Sequence, residues 1–260
     1  MEVAQSLLIV GRMEVSLYSA AAAMNATERW QDLVADNLSS TSVPGARQQE
    51  ISFSSVQAGV ASDVSGSTGG NFVMPLAGSS INFSQGNITP SGNNLDMAVE
   101  GPGFFSVQLP DGSTAYTRDG EFRLNTQGQL TTKQGYPVAS DGGTLSFDPN
   151  NSAPINVSPE GEVSQGADTK GKISVTEFGN LKALTMGSGG FFQADGALAQ
   201  PKPATASHVR QGFVEASNTS PTLAMASLIT SMRMFETNQK VMTMQSDRMT
   251  KAITELSGTT

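Results

Sequence analysis

The carboxylates Asp111, Asp119 and Glu121 crowd the stretch GFFSVQLPDGSTAYTRDGEFRLNTQGQL, Gly103 to Leu130, among glycine-rich turns. Acids so placed could hold a calcium ion or act as a general acid and base. An EF-hand loop, however, needs acidic or amide side chains at alternate positions followed by a distant Glu. The segment DGSTAYTRDGEF puts Gly and Thr where those ligands belong. Asp-Gly between alternating segments instead supplies the positive backbone angles of a two-residue hairpin turn, and this covers Asp111-Gly112 and Asp119-Gly120 together. His208 is the single histidine, so a two-histidine zinc site is impossible and a serine triad would have no choice of base. No cysteine is present, which removes disulfides, thiolate metal sites and a cysteine nucleophile. Neither a G-x-S-x-G elbow nor a phosphate-binding loop occurs, and GPGFF, Gly101 to Phe105, lacks the third glycine of a dinucleotide fingerprint. The 12 methionines read as adaptable helix packing rather than a metal relay. No catalytic, cofactor-binding or metal-binding residue is expected.

The elements around these residues are of two kinds. From Ser16 to Ser40 the chain is free of Gly and Pro and rich in Ala, and Leu17, Ala21, Met24, Val34 and Leu38 mark a helical face. Pro44 and Gly45 then stop that helix. At the other end Leu228, Phe235, Met242, Met249 and Leu256 stand seven apart, a heptad seam whose companions four residues on include Met232 and Ile253. A helix from Pro221 to about Ser257 would be roughly 55 Å long. Such a stripe needs a cover: the first helix, neighbouring copies, or both. Between the helices the period drops to two, as in Phe105, Val107 and Leu109 against Ser106 and Gln108, and turn signals recur as in a compact antiparallel β domain. GVASDVSGSTGG, Gly59 to Gly70, reads as a flexible connection.

The expected organisation is therefore α+β: a tail over 1–12, an N-terminal helix over 13–45, a β-rich domain over 46–215 and a C-terminal helix over 216–260. The two terminal helices form one discontinuous coiled-coil layer. The repeat of MEV at Met1 and Met13 suggests that the folded part begins near Met13. A formal charge of −8 without a basic run disfavours nucleic acid. SLLIV, Ser6 to Val10, is too short for a membrane span or a signal-peptide core.

LYSAAAAMNATERWQDLVADNLSSTSVPGAR, Leu17 to Arg47, resembles the N-terminal signature of the flagellar axial proteins, the family of rod and hook subunits. Asn37, Leu38, Pro44, Gly45 and Arg47 fit it, whereas Asp36 and Ala46 replace the usual Asn and Phe. Leu95 to Val138 is similar to the family's central β motif. VRQGFVEASNTSP and RMFETNQK resemble its C-terminal signature, with Glu215, Ser217, Asn218, Arg233, Phe235, Glu236 and Lys240 matching and Thr219 replacing the usual Val. Within the family the Pro44-Gly45 turn and the SNTSP segment are more similar to proximal rod subunits, with the distal subunit and the hook type as alternatives. The resemblance implies a structural, self-assembling subunit in the periplasmic rod of the basal body. It implies export by the flagellar type III apparatus without a cleaved signal, and partners among further copies and other rod and hook proteins. A reading from another class is a secreted β-rich hydrolase or carbohydrate-binding module, with acids such as Glu100 and Glu121 brought together.

Overall fold

The computed structural model describes residues 2–60, 71–148, 151 and 153–257. Residues 61–70 of the expected connection, and the side chain of Leu256, lie outside them. By contacts the chain divides into two units.

The first unit comprises residues 1–36, 49–80 and 222–260. Its helices are α1, Glu2–Ser39, and α2, Pro221–Ser257. The α1 backbone is already helical at Glu2, ahead of Met13 where the apolar period sets in. Residues 2–12 contain no Pro and one Gly, so local propensity continues the helix where the stripe does not. Two long strands, β1 (Gln49–Val60) and β2 (Asn71–Ile81), form a two-stranded ribbon. Trp30 of α1 meets Phe53 of β1 edge to face, with ring centroids 5.8 Å apart.

The second unit, residues 37–48 and 81–221, holds the remaining strands. Those that matter for function are β3 (Ile88–Pro90), β4 (Met97–Glu100), β5 (Phe104–Gln108), β6 (Thr114–Thr117), β7 (Val175–Phe178), β8 (Leu184–Met186), β9 (Phe191–Ala194), β10 (Pro201–Pro203), β11 (His208–Gln211) and β12 (Phe213–Glu215). Six form one antiparallel sheet in the order β8-β9-β6-β5-β7-β10, while β4 pairs with β11 and β3 with β12.

The alternation in β5 suggests one wet face, yet Phe104, Phe105, Ser106 and Val107 are all buried. β5 is central. Phe105 and Val107 join a core with Met97, Val99, Phe122 and Ile173. Phe104 serves a second core on the opposite face with Phe192, Leu184 and Ala199, and Ser106 hides its hydroxyl against Thr176 at 2.9 Å.

The two Asp-Gly pairs differ. Gly112 has φ +82°, and Leu109, Gly112 and Ser113 close the β5–β6 turn by backbone bonds, with Asp111 accepting from the Ser113 amide. The Ser113 hydroxyl, followed by its amide, also holds the Asp111 carboxyl below its ordinary range. Gly120 corrects the expectation of a shared turn: it is absent from the positive-φ glycines, and a Cβ there would lie 1.5 Å from the Met97 carbonyl oxygen. Close backbone approach, not turn geometry, requires that glycine.

Candidate assembly face and helix roots

Within the first unit, α1 covers a stripe of small residues. Ala20, Ala26, Thr27, Leu33 and Val34 are buried, Leu17 and Met24 half-buried. On α2 the covered face holds Ala224 and Ser231, both buried, with Leu228, Phe235, Met242 and Met249 half-buried. The row sharing this face with the seam lies three residues on, not four: Ser231, Asn238, Gln245 and Ala252. Positions three and four residues on fall on opposite sides of a helical row, so Met232 and Ile253 point outward, 51% and 58% exposed. A hydrogen bond joins the two helices: the Asn238 amide donates to Thr27 Oγ1 at 3.1 Å, while that hydroxyl donates to the Ala23 carbonyl. Small residues let helix axes approach, and one polar pair sets their register. Leu223, Met225, Ile229, Met234 and Met244 are also exposed, so α2 carries apolar side chains on its uncovered face.

Within the second unit, the residues leaving α1 and those leading into α2 meet. Leu38 is half-buried and Asn37 buried at the end of α1, where Thr41 Oγ1 donates back to the Leu38 carbonyl at 2.8 Å. Pro44 then turns the chain into Gly45, whose φ is +69° and whose added Cβ would lie 2.3 Å from the Arg118 carbonyl carbon. The Gly45 amide donates to the Glu215 carbonyl at 2.7 Å. Glu215, at the end of β12, is wholly buried with Arg47 and Arg118 around its carboxylate: Arg47 Nη1 is 2.7 Å from Oε1, and Arg118 Nη1 donates to Oε2 at 3.1 Å. The Gly86 amide donates to Oε1 at 2.7 Å. Arg118 also donates to the Val99 and Gly101 carbonyls and stacks on Phe104. Burial lowers its pKa to about 10, against the pull of Glu215, and it remains a cation at neutral pH.

Asn218 completes this joint. Its Oδ1 accepts from the Gln48 amide at 2.6 Å, its own amide donates to Ala46 O at 3.3 Å, and Nδ2 donates to the Asn82 and Ser84 carbonyls at 2.9 Å each. Ser217 accepts the Thr219 amide. Arg47 and Glu215 stand out in the sequence only by resemblance and Arg118 not at all. Nothing local signals that residues so far apart share one buried charge cluster.

The carboxylates named for a hydrolase have separate partners. Glu100 faces Arg210 at 3.7 Å, and Glu121 pairs with Lys133. His208 is exposed on β11. A recess of about 390 Å³ is lined by Asp141, Glu160, Lys172, Lys202 and His208, where hydrogen bonds from its own backbone and from Ser158 hold Glu160 below its ordinary range. A general acid needs the opposite displacement. Among the described residues no group of three His, Asp or Glu is placed to hold a metal ion, and no helix is long and apolar enough to cross a membrane.

Residues 98–165 match the family described as flagellar hook protein FlgE/F/G D1 domain, and residues 210–255 match the flagellar basal body rod FlgEFG protein C-terminal family. The flagellar basal-body rod protein FlgF of Caulobacter vibrioides is 34% identical over 231 residues, spanning 88% of this chain and 93% of that protein. FlgG of Buchnera aphidicola subsp. Schizaphis graminum is 31% identical, spanning 93% and 99% respectively. This chain belongs to the flagellar basal-body rod protein family. It is a structural protein of the flagellar basal body, not an enzyme. The rod-family match over 210–255 takes in Glu215, Asn218 and nearly all of α2. Asp111 thus sits at a turn of a structural β unit, and Asp119 beside a close backbone approach within it.

Proposed function

We propose that this rod-family protein is a subunit of the proximal, FlgF type that polymerises through α1 and α2, copy to copy and onto other axial proteins, and carries torque from motor to hook. The observation that carries the reading is the apolar face of α2 left uncovered when its seam is already used: Met225, Ile229 and Met232 follow one another at helical spacing and are each more than half exposed. Exposed apolar residues grouped in this way mark contact surfaces. Head-to-tail contacts of this kind build helical tubes rather than closed dimers. Export by the flagellar type III apparatus into the periplasmic rod, without a cleaved signal, belongs to the same proposal. The distal, FlgG type is the second reading, favoured by relatives of that name at similar identity.

The test is to replace Met225, Ile229 and Met232 together with Asp. Because all three are exposed, the monomer should keep its circular dichroism and thermal midpoint, whereas cells carrying it in place of the native chain should not swim and should lack rods beyond this subunit. Normal swimming would overturn the proposal. Removing Leu228 to Leu256 should likewise leave a soluble β unit that does not enter the rod.

A further inference from the structure

Several backbone groups of the segment that leaves α1 are bonded to the segment leading into α2, while the Val43 and Ala46 amides bond within their own segment to Ser40 and Val43. Gly45 N goes to Glu215 O, Ala46 O to Asn218 N, and Gln48 N to Asn218 Oδ1, while Gln48 O accepts from Asn82 N, whose own carbonyl accepts from Asn218 Nδ2. The Arg47 side chain, with no exposed surface, has the Glu215 carboxylate as its ion partner. Loosening the segment before α2 would therefore strand the buried Arg47 guanidinium and orphan the Gly45 and Gln48 amides, while loosening the exit of α1 would take one of its two guanidiniums from Glu215 and orphan the Asn218 amide. Removing one partner of a buried ion pair costs far more than the net worth of the pair, so half-open states are disfavoured. Two guanidiniums on one carboxylate sharpen this, since Glu215 is the single described acid paired with either.

We propose that Glu215 and Asn218 form a coupling joint through which fixing the root of one terminal helix fixes the root of the other. The two roots open and close as one cooperative element, and a constraint applied to either is felt by both. If the helices dock onto neighbouring copies as proposed above, docking one lowers the ordering cost of docking the other. The coupling itself is a property of the isolated chain.

Amide hydrogen exchange on the full chain tests it. Gly45→Ala perturbs the exit of α1 by strain against the Arg118 backbone, and the readout is exchange at the Ala216 and Thr219 amides, which bond to Asn87 and Ser217 rather than to residues 45–48. Asn218→Ala perturbs the approach to α2, read at Val43 and Ala46, which bond to Ser40 and Val43. Each substitution should speed exchange at the opposite root on the order of tenfold while Phe105 and Val107 stay protected. In a Glu215→Gln background both roots should start fast, and neither substitution should add more than about twofold at the other. Acceleration confined to the substituted root would overturn the coupling. Should Gly45→Ala release Phe105 and Val107 as well, Arg47→Lys, which keeps the charge and loses the fork, gives the same comparison. Failure here leaves the swimming result untouched, and a swimming triple variant leaves this one untouched.

Discussion

Asp119 sits beside the Gly45 turn with its carboxyl raised to about 6: burial outweighs the Glu121 amide bond, Glu121 and Asp96 add repulsion, and Lys133 opposes. The native chain therefore keeps a proton there that the unfolded chain, with a carboxyl near 3.8, has already lost. Between about pH 4 and pH 6 stability should fall as pH rises, by on the order of 2–3 kcal/mol, and then level off. Asp119→Asn keeps an acceptor for Glu121 and should flatten that slope; urea midpoints across the window measure it. An unchanged slope would assign the pH dependence elsewhere. Next to it, Gly120→Ala would force a carbon into the Met97 carbonyl and should cost at least about 3 kcal/mol, read from the same urea transitions. The Asp-Gly spelling hides this difference between Gly112 and Gly120, because two glycines serving a turn and a close approach look alike in one dimension. The Arg47, Arg118 and Glu215 cluster was hidden for a related reason: charged residues read as surface until a fold buries them together.

The paired helices make the Thr27–Asn238 hydrogen bond a test of register. A double-mutant cycle with Thr27→Val and Asn238→Ala should give a coupling of about 0.5–1.5 kcal/mol in the unfolding of the helices followed at 222 nm. A coupling near zero would mean that the contact contributes nothing to pairing. Helix positions were legible, since Pro44 and Pro221 punctuate the chain and the seam from Leu228 to Met249 repeats every seven residues. The face that α2 covers was only half legible, because Ser231, Asn238 and Gln245 carry no hydropathy signal while outward-pointing Met232 does. Strands were legible by alternation, but alternation does not say which body a strand joins. The ribbon of β1 and β2 lies with the helices, although the reading of 46–215 as one domain counts it with the sheet. β5 misled for the opposite reason: a residue such as Ser106 reads as wet, and only a partner such as Thr176 reveals a second buried face.

As a whole the molecule joins two bodies with unequal interiors. The β unit buries Phe104, Phe105, Phe122 and Phe192, whereas among the described side chains of the helical unit the buried ones are chiefly Ala, Thr, Ser, Val and Leu. Less apolar area per residue means less stabilisation, and a two-stranded ribbon adds little. Unfolding should thus occur in two stages, the helical unit first. Trp30, the single tryptophan, belongs to that unit and touches Phe53, so its fluorescence should change at a lower urea concentration than the near-ultraviolet signal of Tyr116 and Tyr136 in the β unit. Coincident curves would show that the two bodies unfold as one. The six-stranded sheet ends at β10, where Pro201 and Pro203 flank Lys202, so that one residue of three has an amide hydrogen to offer. Where many identical copies crowd together, an open strand edge is a template for runaway sheet stacking, and imino acids with a lysine between them deny it a foothold. If copies assemble along α2 as proposed, this edge refuses them the alternative of adding strand to strand, and that refusal is what separates an ordered filament from an amyloid.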